Sequence, residues 1–319
     1  MEATVSLKHF DKAIGQATAI KLLSKAIVTH RIPNAFLFAG AEGIGKRLTA
    51  KCFIQALFSH ALPLEQELTK LSEIETNSHP DVLWVNPTYQ HQDKLLTEAE
   101  AIARGIKRKV TPIIRIEQVR ELVEFATKTP LDAPRKVAVI EDADTLNHQA
   151  ASALLKTLEE PTNTLFILLV HRIQAILPTI VSRCQIIPFR RLKQDDLAKV
   201  LIKQEQQSIL ENPLLLSIAQ GSPGEAIAQY QMMQSIPPEL LNQCSTPPTN
   251  LLAALSLART IDNTLEYSQQ LWLLDYLQHL WWHSFRRLDL LEKLSLAKNA
   301  LIKMVQNRLV WEVVLADTI

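Results

Sequence analysis

Cysteine is scarce in this chain. There are three in 319 residues, Cys52, Cys184 and Cys244, and no Cys-x-x-Cys pair, which excludes a disulfide framework and a four-thiolate zinc site and suits a reducing compartment. Net charge is equally slight, at +1 from 34 Lys and Arg against 33 Asp and Glu. Affinity for phosphate backbones scales with the cations placed on them, so a binder that holds nucleic acid by overall charge is excluded, and any DNA contact must come from a local patch. No uninterrupted apolar run reaches the roughly 18 residues that a membrane span needs, and no basic-apolar-small leader opens the chain. A soluble, cytoplasmic protein without a membrane partner is expected. There is no internal repeat or low-complexity tract. Hydrophobic residues make up 47%, ample for cores, and the length predicts two or three domains.

The most informative stretch is Pro112 to Pro161. Val137 to Glu141 is an apolar run without Gly or Pro that ends in Glu141-Asp142-Ala143-Asp144. It reads as a strand buried on both faces of a parallel sheet with acidic groups at its carboxyl end, the outline of a Walker B strand. Asn147 is placed to cap the next helix, in which Ala151, Leu154, Leu155 and Leu158 recur at helical spacing and Pro161 ends the run. Upstream, the strand-like Ala35 to Ala39 leads into Gly40-Ala41-Glu42-Gly43-Ile44-Gly45-Lys46-Arg47. Glycines at this spacing let backbone N–H groups curl around a phosphate, and the lysine reaches the β and γ phosphates. The pattern is a P-loop except at its last position, where Arg47 replaces the Ser or Thr whose hydroxyl holds magnesium.

These blocks occur in a familiar order. Phe10 to Gln16, Arg31 to Phe38, His79-Pro80-Asp81, Ile114 to Pro130, the acidic strand, Ala153 to Pro161, Ser182-Arg183-Cys184 and Gly221-Ser222-Pro223-Gly224 together resemble the delta-prime subunit family of the bacterial DNA polymerase III clamp loader, relatives of the AAA+ ATPases. The resemblance covers roughly residues 8 to 225 and is most specific from Ile114 to Cys184. It implies a P-loop NTPase-like α/β domain with a parallel sheet (1–191), a small helical lid containing the sensor 2 segment (192–235) and an all-α collar (236–319). It also implies that Arg183 is an arginine finger acting in trans on a neighbour's ATP; the alternative is a helix-end ion pair. The implied partners are gamma/tau-type ATPase subunits, a clamp-opening delta-type subunit, the sliding clamp and, through the complex, primer-template DNA.

Departures from the active pattern point away from hydrolysis. The acidic pair is Glu141-Asp142 where active relatives have Asp then Glu, and misplacement on the order of 1 Å can cost roughly 100-fold in rate. The sensor 1 position falls near Val170 or His171 and carries neither Thr nor Asn. With Arg47, four catalytic elements are altered together. We therefore expect Gly40, Gly43, Gly45, Lys46 and Arg47 to form a degenerate P-loop and Glu141 and Asp142 a degenerate Walker B site. No cofactor is required, and whether ATP or ADP is held uncleaved stays open. Many relatives carry a four-cysteine zinc module after the P-loop helix, which this chain cannot assemble, so no zinc is expected. The rival readings are a hydrolysing gamma/tau-like motor and a general DNA-binding or repair factor.

Five strands are expected, at 35–39, 81–86, 136–141, 165–170 and 185–189. Between Pro87 and Pro112 lies an insertion with a helical stretch and then four cations in Arg104 to Lys109, which could touch DNA but more ordinarily form a solvated loop. The last eighty-odd residues read as long helices. Trp272, Tyr276, Leu280, Leu273, Leu277 and Trp281 form a broad apolar face for a bundle core.

Overall fold

The computed structural model describes residues 8–59, 72–91, 94–104, 111–160 and 163–319. The chain divides into two units, Met1–Val200 and Leu201–Ile319. Among the described residues, seven strands lie in the first: β1 (Ala35–Ala39), β2 (Val82–Val85), β3 (Tyr89–His91), β4 (Lys94–Leu96), β5 (Lys136–Ile140), β6 (Thr164–Val170) and β7 (Gln185–Pro188). Five of them form a wholly parallel sheet in the order β2-β5-β6-β1-β7. All residues of β1, β5 and β6 are buried, as their apolar sequences require. Each of the five expected strands is present within two residues of its expected ends.

Helices pack against the sheet for reasons visible in their sequences. Asn147 caps His148–Glu159 by accepting the backbone N–H of Ala150 at 2.8 Å, and Ala151, Leu154 and Leu158 turn inward. Ile116–Thr127 buries Val119, Leu122 and Ala126 in the same core. The insertion differs from expectation. Besides the helix Glu98–Ala103 it holds the antiparallel hairpin of β3 and β4, closed at its base by pairing of Thr88 with Ile113. Strands of three residues show too little alternation to announce themselves. Residues 105–109 of the basic stretch, 60–71 of the segment where a zinc module would sit, and Pro161 lie outside the described residues.

The second unit is helical. Leu251–Thr264 and Asn307–Asp317 pack together, as do Tyr267–Phe285 and Leu288–Ile302. Trp272, Leu273, Leu277 and Trp281 are buried in its core, with Tyr276 and Leu280 packed against it, as the apolar face predicts. Buried indoles need a partner for their N–H. Trp311 donates to Gln270 Oε1 at 2.9 Å and Trp281 to the Cys244 carbonyl at 3.0 Å.

One polar device ties the sheet edge to the loop before β5. Asp81, fully buried, accepts the backbone N–H groups of Leu131, Asp132 and Ala133 at 2.7–3.1 Å, and His79 Nδ1 accepts the N–H of Asp81 at 3.1 Å. Burial pushes the Asp81 carboxyl up, but the three backbone bonds together outweigh it and hold it below the usual aspartate range. A carboxylate depressed in the folded state contributes stability above its unfolded value, near 4, and loses it as pH falls through the lower folded value. Asp81→Ala strands three donors and should cost about 2–4 kcal/mol in urea unfolding at pH 7. The wild-type advantage should shrink on acidification below about pH 4; a difference independent of pH there would refute the assignment.

Candidate functional site

Three adjacent strands end in the loops that carry the polar chemistry. β1 runs into Gly40–Arg47 and β5 into Glu141–Asp144. β6 lies between them, so the residue after it, His171, meets both. Gly40 is demanded by packing, since a Cβ there would stand 2.6 Å from the Phe189 carbonyl oxygen. Gly43 and Gly45 adopt φ of 67° and 95°, in the left-handed region that favours glycine. A Cβ on Gly45 would meet no atom within 4 Å, so its backbone faces open space. The helix Lys46–Ser59 starts at once, and its first-turn N–H groups supply partial positive charge at its start.

Lys46 is buried, and its Nζ donates to the carbonyls of Gly40 and Ala41, each at 2.6 Å. Burial pulls its pKa down to about 8, against the opposing pull of Asp142, Asp144 and Glu42. Arg47 turns the other way. Its Nη1 donates to Glu141 Oε2 at 2.9 Å, and its guanidinium lies 5.1 Å from the Trp84 ring centroid, which Lys51 Nζ also approaches at 5.6 Å. Burial raises the Glu141 carboxyl, with Arg47 pulling it down. Glu141 Oε1 is buried with no hydrogen-bond partner among the described residues.

Asp142 sits in the left-handed region, φ 45° and ψ 49°, and its Oδ1 lies 3.0 Å from His171 Nε2. Asp144 faces His171 from below: Oδ1 accepts its backbone N–H at 3.4 Å and Oδ2 lies 4.0 Å from Nδ1. The fold therefore gathers Gly40, Gly43, Gly45, Lys46, Arg47, Glu141, Asp142 and His171. Sequence reasoning did not single out Trp84, Lys51 or the role of Asp144. Trp84 joins the site through strand register, which the sequence does not record: it pairs with Val139, two residues before Glu141 and therefore on the same sheet face.

Phosphate fits this site, because an open glycine backbone, a helix start and a lysine converge on it. Magnesium does not. It requires near-octahedral oxygen ligands, whereas position 47 offers only nitrogen donors, one of which is bonded to the carboxylate that would have served. Arg183 lies apart from the cluster. It follows the short helix Pro178–Val181, donates through Nη1 to the Thr179 carbonyl at 2.8 Å and pairs through Nη2 with Glu159 at the end of the helix that Asn147 caps. Burial pushes the Cys184 thiol up to about 12, which makes it a packing residue and not a nucleophile.

Residues 15–193 match the family described as DNA polymerase III, delta subunit, and residues 195–318 match the family described as cyanobacterial DNA polymerase III delta prime, C-terminal domain. The chain is 33% identical over 195 residues to the DNA polymerase III subunit delta' of Bacillus subtilis, covering 60% of this chain and 52% of that one. It is 30% identical over 224 residues to a subunit gamma/tau of Mycoplasma genitalium, covering 68% of this chain and 33% of the other. The chain thus spans about half, or less, of the length of these relatives. Among solved structures, a DNA polymerase III gamma subunit-related protein of Thermotoga maritima shares the fold, with a TM-score of 0.55 and 18% identity over 94% of this chain and 98% of that one.

The contact between Asp142 and His171 has a measurable consequence. The Asp142 bond raises the imidazole pKa, while burial and Lys46 oppose it, and the net direction is upward. A group raised on folding contributes stability that is complete below its unfolded value, near 6.5, and disappears as pH rises through the folded value. Asp142→Asn should lower the His171 midpoint followed by NMR of its ring protons. An unchanged midpoint would show that another group sets it.

Proposed function

The chain belongs to the DNA polymerase III delta-subunit family, and we propose that it acts in a clamp loader as a delta-prime-type subunit, a stator that does not hydrolyse ATP itself. One observation carries the reading: Arg47 is bonded to Glu141, which takes both the magnesium-ligand position of the loop and the first acidic position of the strand out of metal chemistry. Hydrolysis in this fold depends on a metal that neutralises developing charge and on a residue that orients water. Here Asp142, in the water-orienting position, points its carboxylate at His171. The matching of both halves of the chain to delta-type families supports the same reading over the gamma/tau-like motor. In this reading residues 192–235 are a lid and 236–319 a collar, and the partners are gamma/tau-type ATPase subunits, a delta-type subunit, the sliding clamp and primer-template DNA.

Arg183 would then serve a neighbour's nucleotide. Its guanidinium is always charged, and its fork matches phosphate oxygens. Its side chain is 36% exposed and that of its resting partner Glu159 54%. An ion pair in so open a setting is worth about 0–1 kcal/mol, so the arginine can leave it for a phosphate at small cost. The helix-end pair and the finger are thus two states of one side chain.

Two assays test the reading. The purified chain with magnesium and ATP should show no turnover above background, whereas turnover on the order of 1 per second abolished by Lys46→Ala would establish the motor. In the assembled loader, Arg183→Ala should leave assembly intact and lower clamp- and DNA-stimulated hydrolysis. A finger contributes roughly 10³ to 10⁵ at the site it serves, and the bulk loss is smaller because other sites keep theirs. Glu159→Gln, which removes only the resting partner, should stay within a few-fold of wild type. Full stimulated hydrolysis by an assembled Arg183→Ala loader would refute the finger.

A further inference from the structure

The phosphate-binding loop and its opposing carboxylates differ in how much of their chemistry is still available. On the loop side, the Gly45 backbone faces open space, and the ammonium of Lys46 rests on two loop carbonyls that cannot match the charge of a phosphate oxygen. On the carboxylate side, each acidic group already has a partner: Glu141 has Arg47, Asp142 has His171 Nε2, and Asp144 has the His171 backbone. Carboxylates left bare would repel a polyphosphate unless a divalent cation came between. Arg47 follows Lys46 directly in the loop, and its guanidinium is bonded to Glu141 and lies on the Trp84 ring. A guanidinium has five N–H donors, and a single nitrogen of it, Nη1, serves Glu141.

We propose that the Gly40–Arg47 loop binds a nucleoside di- or triphosphate without a divalent cation, with Arg47 as the built-in counter-cation. The proposal rests on reading this loop as a phosphate cradle and adds the form of the ligand: the free polyphosphate and not its magnesium complex. Magnesium keeps an octahedral shell of oxygens at 2.0–2.1 Å. To enter it would have to displace a guanidinium from Glu141 and would find no hydroxyl at position 47. The free anion meets no such barrier. Its oxygens are taken by the glycine backbone, by Lys46 withdrawn from the Gly40 and Ala41 carbonyls, and by the N–H groups of Arg47 that Glu141 does not use.

The test is a titration of the full chain with N-methylanthraniloyl-ADP and N-methylanthraniloyl-ATP, followed by probe fluorescence, in EDTA and in excess magnesium. Affinity in EDTA should equal or exceed that in magnesium. Arg47→Thr, which removes the cation and supplies a hydroxyl, should weaken binding in EDTA by about tenfold or more and make it magnesium-dependent. Arg47→Lys should keep binding in EDTA, and thermal melts of both variants confirm folding. Binding by wild type that requires magnesium overturns the metal-free inference while leaving the cradle standing. Equal loss or no loss in both Arg47 variants overturns the counter-cation role. Absence of binding in either buffer overturns the cradle itself, and the inference with it.

Discussion

β6 is buried along its whole length, Thr164 to Val170, and most of what the first unit does depends on that. A strand with both faces covered can satisfy its backbone only by pairing on both edges, here with β1 and β5. Parallel pairing points all three carboxyl ends the same way. The glycine loop, the acidic run and His171 are thus brought together by a constraint set in apolar residues far from any charge. Gly40 extends the same logic, because the chain turns away from β1 against the backbone of Phe189, and a side chain at that point would force β7 off its neighbour.

Within this frame the charges pair with one another. In a hydrolytic site of this fold the carboxylates face a metal and the lysine faces phosphate. Here Arg47 occupies Glu141, His171 occupies Asp142, and Lys46 rests on its own loop. Buried or half-buried charges without partners are expensive. The pair of Arg47 and Glu141 therefore satisfies both charges without a ligand. The sheet dictates the loop geometry, and a few side chains decide what chemistry that geometry offers.

Much of this was legible in the sequence. The five core strands could be read because burial on both faces writes itself as unbroken apolar runs, and the helix after Asn147 because a cap and a 3.6-residue period coincide. That the glycine loop and the acidic run emerge at the same end of the sheet was legible, since strand-to-loop motifs fix where each loop must emerge. The partners were not. That Arg47 reaches Glu141 and lies on Trp84 depends on the pairing of β2 with β5, across about fifty residues of chain, and no local pattern records such a register. The β3–β4 hairpin escaped for the opposite reason: its strands are three residues each, too short for alternation to show.

Arg183 shows why a residue's role is harder to read than its position. Its motif locates it after Pro178–Val181, and its present partner is a glutamate on the surface of the same unit. A guanidinium bound for good would be expected in a buried, multiply bonded setting, as Asp81 is among its backbone donors. Arg183 has instead one exposed carboxylate, one carbonyl of its own turn and a long bond to the Ser182 hydroxyl, all at the surface. Such a pair aims the side chain and stores little energy, so a stronger anion presented from outside can take the guanidinium over. A weak resting contact suits the trans-acting role proposed for Arg183, since a tight one would have to be broken before a neighbour's phosphate could be served.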